Sequence, residues 1–209
     1  MNIEQLVDTL IILHASGGGL ALLSGAIALI AKKGSQLHIK TGKVFFWSML
    51  SSAILAFLIA VSPGHESPFL FSVGIFSTYF LLGGFWSVQL KKKEVSLLKY
   101  KVLAYVMIIA GLTMAVYPFF LYGKMNVVLL VFGLVGAVFG YRDLQLFKDR
   151  EKVQKSWLNL HLGKMTGGYI AAISAFLVVN QILPGVWNWF LPGILGSFYI
   201  NFEGRKLKK

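Results

Sequence analysis

Four histidines are the residues of this chain best suited to binding a metal or a cofactor. The 209 residues include no cysteine, which excludes disulfides, thiolate metal sites, iron–sulfur clusters and covalently attached c-type haem. Imidazole nitrogen remains as a ligand for haem iron or zinc. His14 lies inside the first apolar run, and His38 and His161 directly precede later apolar runs. His65 lies in a short polar segment beside Glu66, which makes it the weakest candidate.

His38 and His161 are predicted to share one site, because each precedes a helix and the two helices are predicted to cross in the same direction. Met165 follows His161 by four residues and therefore lies on the same helix face. Together with His14, these residues form the predicted cofactor-binding set, and b-type haem is the candidate cofactor. The identity of any metal stays open, and the sequence identifies no catalytic residue, so it does not decide whether the protein is an enzyme.

A haem at such a site also needs space for a flat ring and positive charge near its propionates. Lysines close to the two histidines in the chain are candidates for the charge: Lys40, Lys43 and Lys164. Glycines in the same two segments are candidates for the space: Gly42, Gly163, Gly167 and Gly168.

The first apolar run places His14 above a row of small residues. The uncharged residues 10–31 are long enough to cross a bilayer as a helix, which takes about 20 residues. Residues spaced by four, three, four and three positions share one helix face: His14, Gly18, Ala21, Gly25 and Ala28. Two interpretations remain open. The face packs closely against a neighbour that bonds to the histidine, or the histidine binds a ligand over a flat slot.

The composition is that of an integral membrane protein. Hydrophobic residues make up 56% of the chain and charged residues 13%, whereas soluble domains carry about 25% charged residues. The formal charge of +12 comes from basic clusters between apolar runs, which is a topology signal and does not indicate nucleic-acid binding. No basic region precedes the first run, so we expect a retained helix and not a removed signal peptide.

We predict a single domain, residues 1–209, built as an all-α bundle of seven transmembrane helices. All but Lys124 and Lys164 of the 20 Lys and Arg residues fall in four clusters, which lie on one side if every predicted helix crosses. That side is cytoplasmic by the positive-inside rule, with the N-terminus outside and the C-terminus in the cytoplasm of a bacterial inner membrane. The predicted helices cover residues 6–31, 44–61, 69–90, 102–122, 127–147, 160–184 and 186–202.

The sequence disfavours two functional classes of membrane protein. No Asp, Glu, Lys or Arg lies near the middle of a predicted helix, which disfavours an ion-coupled transporter. A seven-helix zinc hydrolase needs converging ligands, whereas His14 and His38 lie toward opposite faces of the membrane.

The leading hypothesis is a redox protein that binds haem or metal through its inner histidines. The alternative is a non-enzymatic membrane component, or a carrier for a small neutral or lipidic molecule. Expected partners are membrane lipids and a membrane protein or a second copy of the chain, and not nucleic acid.

Three segments resemble a family of bacterial predicted membrane proteins, common in Bacteroidota and catalogued as a domain of unknown function. They are H-A-S-G-G-G-L-A-L-L-S-G, L-H-I-K-T-G-K-V-F and H-L-G-K-M-T-G-G-Y-I-A-A-I-S-A-F-L-V-V-N. The resemblance covers the first two helices and the sixth. It implies that His14, His38 and His161 belong to the family pattern, and it implies a membrane location without an activity.

Overall fold

The computed structural model describes residues 2–207, apart from the side chain of Phe69. Within that part of the chain all regular structure is helical. A short 3₁₀ segment, Val88–Lys91, continues the third helix. The α-helices are α1 Ile3–Ile30, α2 Gln36–Ala60, α3 Pro68–Ser87, α4 Leu98–Tyr122, α5 Val127–Leu146, α6 Arg150–Asn180 and α7 Trp187–Lys206.

Six helices of the described chain, α1 to α6, are long and apolar enough to cross a membrane. The protein is therefore a multi-pass membrane protein with an all-helical fold. The predicted seventh span, α7, is not among the six. It is 20 residues long, and Asn188, Asn201 and Glu203 lower its mean hydropathy.

Helices α2 and α6 begin well before the apolar segments from which they were predicted. The Ser35 side chain accepts a hydrogen bond from the backbone of His38 and caps α2, and Asp149 caps α6 through the backbone of Lys152 in the same way. The sequence-based boundaries followed the apolar limits, whereas a capped helix continues through polar flanks. His38 therefore lies in the first turn of α2 and not before it, and His161 lies 11 residues after α6 begins at Arg150 and not at the start of that helix.

The lysine-rich loops, residues 31–35, 92–97 and 147–149, lie at one end of the bundle, which we call the basic end. Tyr100 at the start of α4 packs against Phe147 after α5, with ring centroids 5.9 Å apart. The Arg150 guanidinium donates a hydrogen bond to the Val95 carbonyl at 2.7 Å. The Lys91 ammonium lies 5.9 Å from the ring centroid of Trp157 in α6. These contacts bring the ends of α3 and α5 together with the starts of α4 and α6.

Two apolar clusters fill the bundle between its ends. The first joins α1, α2, α3 and α6 through buried residues: Ala21, Phe45, Phe46, Met49, Leu81 and Ala172. The second joins α3 to α4: Phe76, Tyr79, Phe80, Met107 and Met114. Helices α4 and α5 touch at Gly111 and Gly133, where a Cβ on either glycine would collide with the carbonyl oxygen of the other. Close backbone approach of this kind is a common way for helices to pack in lipid.

Candidate functional site

The rings of His38 and His161 lie beside each other near the basic end, where α2 and α6 meet. Their centroids are 6.4 Å apart, and the ring planes are nearly perpendicular, at 79°. The structure thus brings together the two histidines that the sequence predicted to share a site. Both rings are half-buried.

Each ring of this pair is held by a main-chain carbonyl of a neighbouring helix. Nδ1 of His38 lies 2.9 Å from the Ala28 carbonyl oxygen in α1, and Nδ1 of His161 lies 2.9 Å from the Gly84 carbonyl oxygen in α3. A carbonyl oxygen can only accept, so each Nδ1 carries the proton and donates it. In a neutral ring, Nε2 is then left with a free lone pair, the arrangement in which histidine binds metals.

A pair of glycines in α3 allows α6 to come this close. A Cβ atom on Gly84 would lie 2.8 Å from the Met165 sulfur, and a Cβ on Gly83 would lie 2.8 Å from Cδ of Lys164. Both distances are below 3.0 Å, which Cβ atoms in real structures essentially never show. Gly83 and Gly84 therefore determine how closely α6 can bring His161 to the backbone of α3.

Met165 was predicted to reach the shared site, and the structure places it one turn along α6 from His161. Its sulfur faces Gly84, and its side chain packs against the first apolar cluster. This position gives it a packing role in the contact between α3 and α6.

His14 lies far from the pair, toward the opposite end of α1. It is 14 residues before Ala28, which corresponds to about 21 Å along a helix. Its Nδ1 lies 2.9 Å from both the carbonyl oxygen and Oγ of Ser52, and Ser52 Oγ donates to the His14 carbonyl at 2.9 Å. This geometry corresponds to the interpretation in which the histidine bonds to a neighbouring helix.

The small-residue face of α1 turns inward, as its spacing predicted. Ala21, Gly25 and Ala28 are buried, and Gly18 is half-buried. Gly25 makes the tightest contact, since a Cβ there would lie 2.5 Å from Cδ2 of Tyr169. His65 is exposed in the loop between α2 and α3, at the end opposite to the basic end.

A buried ion pair, which was not predicted from the sequence, joins α5 and α6. Lys164 Nζ lies 2.6 Å from Oδ2 of Asp143, and the Tyr79 hydroxyl donates to the same oxygen at 2.7 Å. The ammonium also lies 3.8 Å from the centroid of the Tyr79 ring. The expectation that no helix interior carries a charge is therefore wrong. Lys164 lies about halfway along α6, and Asp143 belongs to α5.

A signal for Asp143 was present in the sequence. It follows Gly133, Gly136 and Gly140 at spacings of three, four and three, so it extends the glycine face of α5. A carboxylate in line with residues that pack against other helices needs a partner inside the bundle. The residue was predicted to lie in the fifth helix, 127–147, but no partner was predicted for it.

The predicted haem surroundings are only partly present. Lys164 is taken by Asp143, so it is not free to pair with a propionate. The space beside Gly167 is filled by Phe80, because a Cβ added to this glycine would lie 2.7 Å from the Phe80 ring. A Cβ added to Gly168 would lie 3.3 Å from the Leu81 side chain. Two of the four predicted glycines, Gly42 and Gly163, have open space at that position.

The described part of the chain brings no further metal-ligating side chain to the histidine pair. Within residues 2–207 no group of three or more His, Asp or Glu side chains is placed to hold a metal ion. The histidine pair is therefore a two-ligand arrangement.

Comparison with known proteins gives no independent assignment. No protein-family model matches the chain. No curated protein and no solved structure matches it either.

Proposed function

We propose that this chain is a membrane redox protein that binds one b-type haem between His38 and His161. One observation carries the proposal. Two imidazole rings on different helices lie side by side, and each has its Nδ1 proton committed to a main-chain carbonyl. That hydrogen bond fixes the tautomer, leaves Nε2 as the ligand atom and increases its basicity.

The spacing of the rings fits axial coordination of one metal ion. With metal–nitrogen bonds of about 2 Å, two imidazoles in trans place their ring centroids about 6 Å apart. The observed separation is 6.4 Å. A near-perpendicular arrangement is compatible with this, because two imidazoles that share one metal would not need to lie in the same plane.

The number of ligands favours haem over zinc. Structural zinc takes four protein ligands and catalytic zinc takes three, whereas the described chain offers two histidines with no third His, Asp or Glu beside them. Haem iron needs only axial ligands, because the macrocycle supplies the other four. The pair thus matches a cofactor that brings most of its own coordination.

Only a few side chains would hold this cofactor. His38 and His161 would be the axial ligands, and the open positions beside Gly42 and Gly163 would leave room for the ring edge. Lys40 and Lys43 are exposed on α2, two and five residues after His38, and can pair with propionates. When bound, the haem would supply one-electron transfer.

We further propose seven crossings in a bacterial inner membrane, with the N-terminus outside and the basic end in the cytoplasm. Contacts along α7 support the seventh crossing. Ser174 of α6 donates to the Trp189 carbonyl near the start of α7, and an added Cβ on Gly204 near its end would lie 4.0 Å from Asn159. Residues 159 and 174 are about 22 Å apart along α6, so α7 runs antiparallel to α6 along that length, which compares with about 30 Å for the hydrocarbon core of a bilayer.

Haem titration of the purified protein tests the redox proposal. Haemin added to protein in detergent should saturate at one equivalent and give a Soret band that sharpens on reduction. His38→Ala and His161→Ala should each weaken binding, and His65→Ala, which removes the exposed loop histidine, should bind as the wild type does. A folded wild type that binds haemin no better than both variants would contradict the proposal.

Fusion of a reporter after Lys209 tests the topology. A cytoplasmic reporter should be active there and a periplasmic one silent. The opposite result would mean that α7 does not cross.

A further inference from the structure

A second site lies on the outside of the bundle at the basic end, separate from the histidine pair. A groove of about 380 Å³ runs between α4 and the end of α3. Its lining residues are Trp86, Leu98, Lys99, Val102, Leu103 and Val106. The groove is shallow and open along one side, so a molecule lying in it would stay partly exposed on the outside of the bundle.

The groove has an apolar body and one cationic end. Leu98, Val102 and Val106 repeat every four residues and form one ridge of α4. They are 69%, 51% and 50% exposed, so this ridge faces the lipid. From Leu98 to Val106 the groove follows α4 for about 12 Å. Lys99 is the only charged residue among those that line it.

The ammonium of Lys99 is positioned by its neighbours without being neutralised. It lies 4.9 Å from the Trp86 ring centroid and 5.2 Å from that of Tyr100, and it donates to Gln89 at 2.8 Å. No carboxylate of residues 2–207 forms an ion pair with it. An ammonium has three donors, so it can also bind an anion.

We propose that this groove binds an anionic phospholipid, with the phosphate on Lys99 and an acyl chain along Val102 and Val106. Charge complementarity supports this occupant. Lys99 lies in a stretch with four other lysines, Lys91, Lys92, Lys93 and Lys101, and one acid, Glu94. Basic residues at a membrane surface favour anionic lipids over zwitterionic ones.

Native mass spectrometry of the delipidated full chain can test this site. Phosphatidylglycerol should bind in preference to phosphatidylcholine with the same acyl chains. Lys99→Gln should reduce that preference about fivefold, the effect of one basic residue near a membrane surface. The control is Lys124→Gln, an exposed lysine in the loop between α4 and α5 that should change nothing. A Lys99→Gln protein with the wild-type preference would overturn the headgroup assignment.

A second pair of variants tests the acyl chain. Val106→Trp fills the groove and should reduce the binding of both lipids. Val116→Trp adds the same side chain to the same helix at a position that is 45% exposed and does not line the groove. Equal lipid binding by these two variants would show that the groove is not the site.

Discussion

The ammonium of Lys164 and the carboxylate of Asp143 form an ion pair inside the bundle, with Nζ 2.6 Å from Oδ2. Both side chains are about nine-tenths buried. The pair ties α6 to α5, and Tyr79 connects α3 to the same carboxylate. Lys164 also lies one turn from His161, so the pair helps to hold the segment of α6 that carries the proposed haem ligand.

Removing one partner of this pair should be strongly destabilising. Lys164→Met leaves Asp143 buried and uncompensated, which costs roughly 3 to 5 kcal/mol in comparable buried pairs. Lys155→Met is the control, because Lys155 pairs with Glu151 on the surface, where such pairs contribute about 0 to 1 kcal/mol. Unfolding in detergent with increasing denaturant measures both. Similar unfolding midpoints for the two variants would mean that the Asp143–Lys164 pair is not desolvated.

Two glycines of α1 should respond oppositely to the same change. Gly25→Ala places a methyl group against the Tyr169 ring, and overpacking of this kind costs about 1 to 3 kcal/mol. Gly19→Ala meets open space and should stabilise the helix by up to about 1 kcal/mol. The free energy of unfolding of each variant gives the comparison. Loss of stability in Gly19→Ala equal to that in Gly25→Ala would refute the assigned packing face.

The hydrogen bond from the Ser52 hydroxyl of α2 to the His14 carbonyl of α1 should contribute measurably to the free energy of unfolding. Ser52→Ala removes the hydroxyl that donates to the His14 carbonyl, for an expected loss of about 1 kcal/mol. Ser48→Ala, one turn away, removes a hydroxyl that bonds to the Val44 carbonyl of its own helix and should cost less. Thermal unfolding of the two variants distinguishes them. A greater loss for Ser48→Ala would contradict an interhelical role for Ser52.

The sequence predicted which histidines meet, because the basic clusters and the order of helices put His38 and His161 at one end. It could not predict what lies around them. Gly25 and Gly19 both lie in the first apolar run, and only the position of Tyr169 on α6 distinguishes a tight contact from open space. Lys164 was predicted as a propionate partner, because nothing in the sequence pairs it with Asp143, which lies 21 residues earlier on a different helix. Contacts between helices distant in sequence therefore account for most of the differences between the predicted and the observed surroundings of the histidines.

The central claim is that His38 and His161 bind the same metal atom, and electron paramagnetic resonance of the ferric haem complex tests it most directly. The wild type should give a low-spin signal, because two imidazole ligands complete six-coordination. His38→Ala and His161→Ala should each lose that signal and show five-coordinate, high-spin iron or no bound haem. A low-spin spectrum that stays unchanged in either single variant would show that the two histidines do not coordinate one iron.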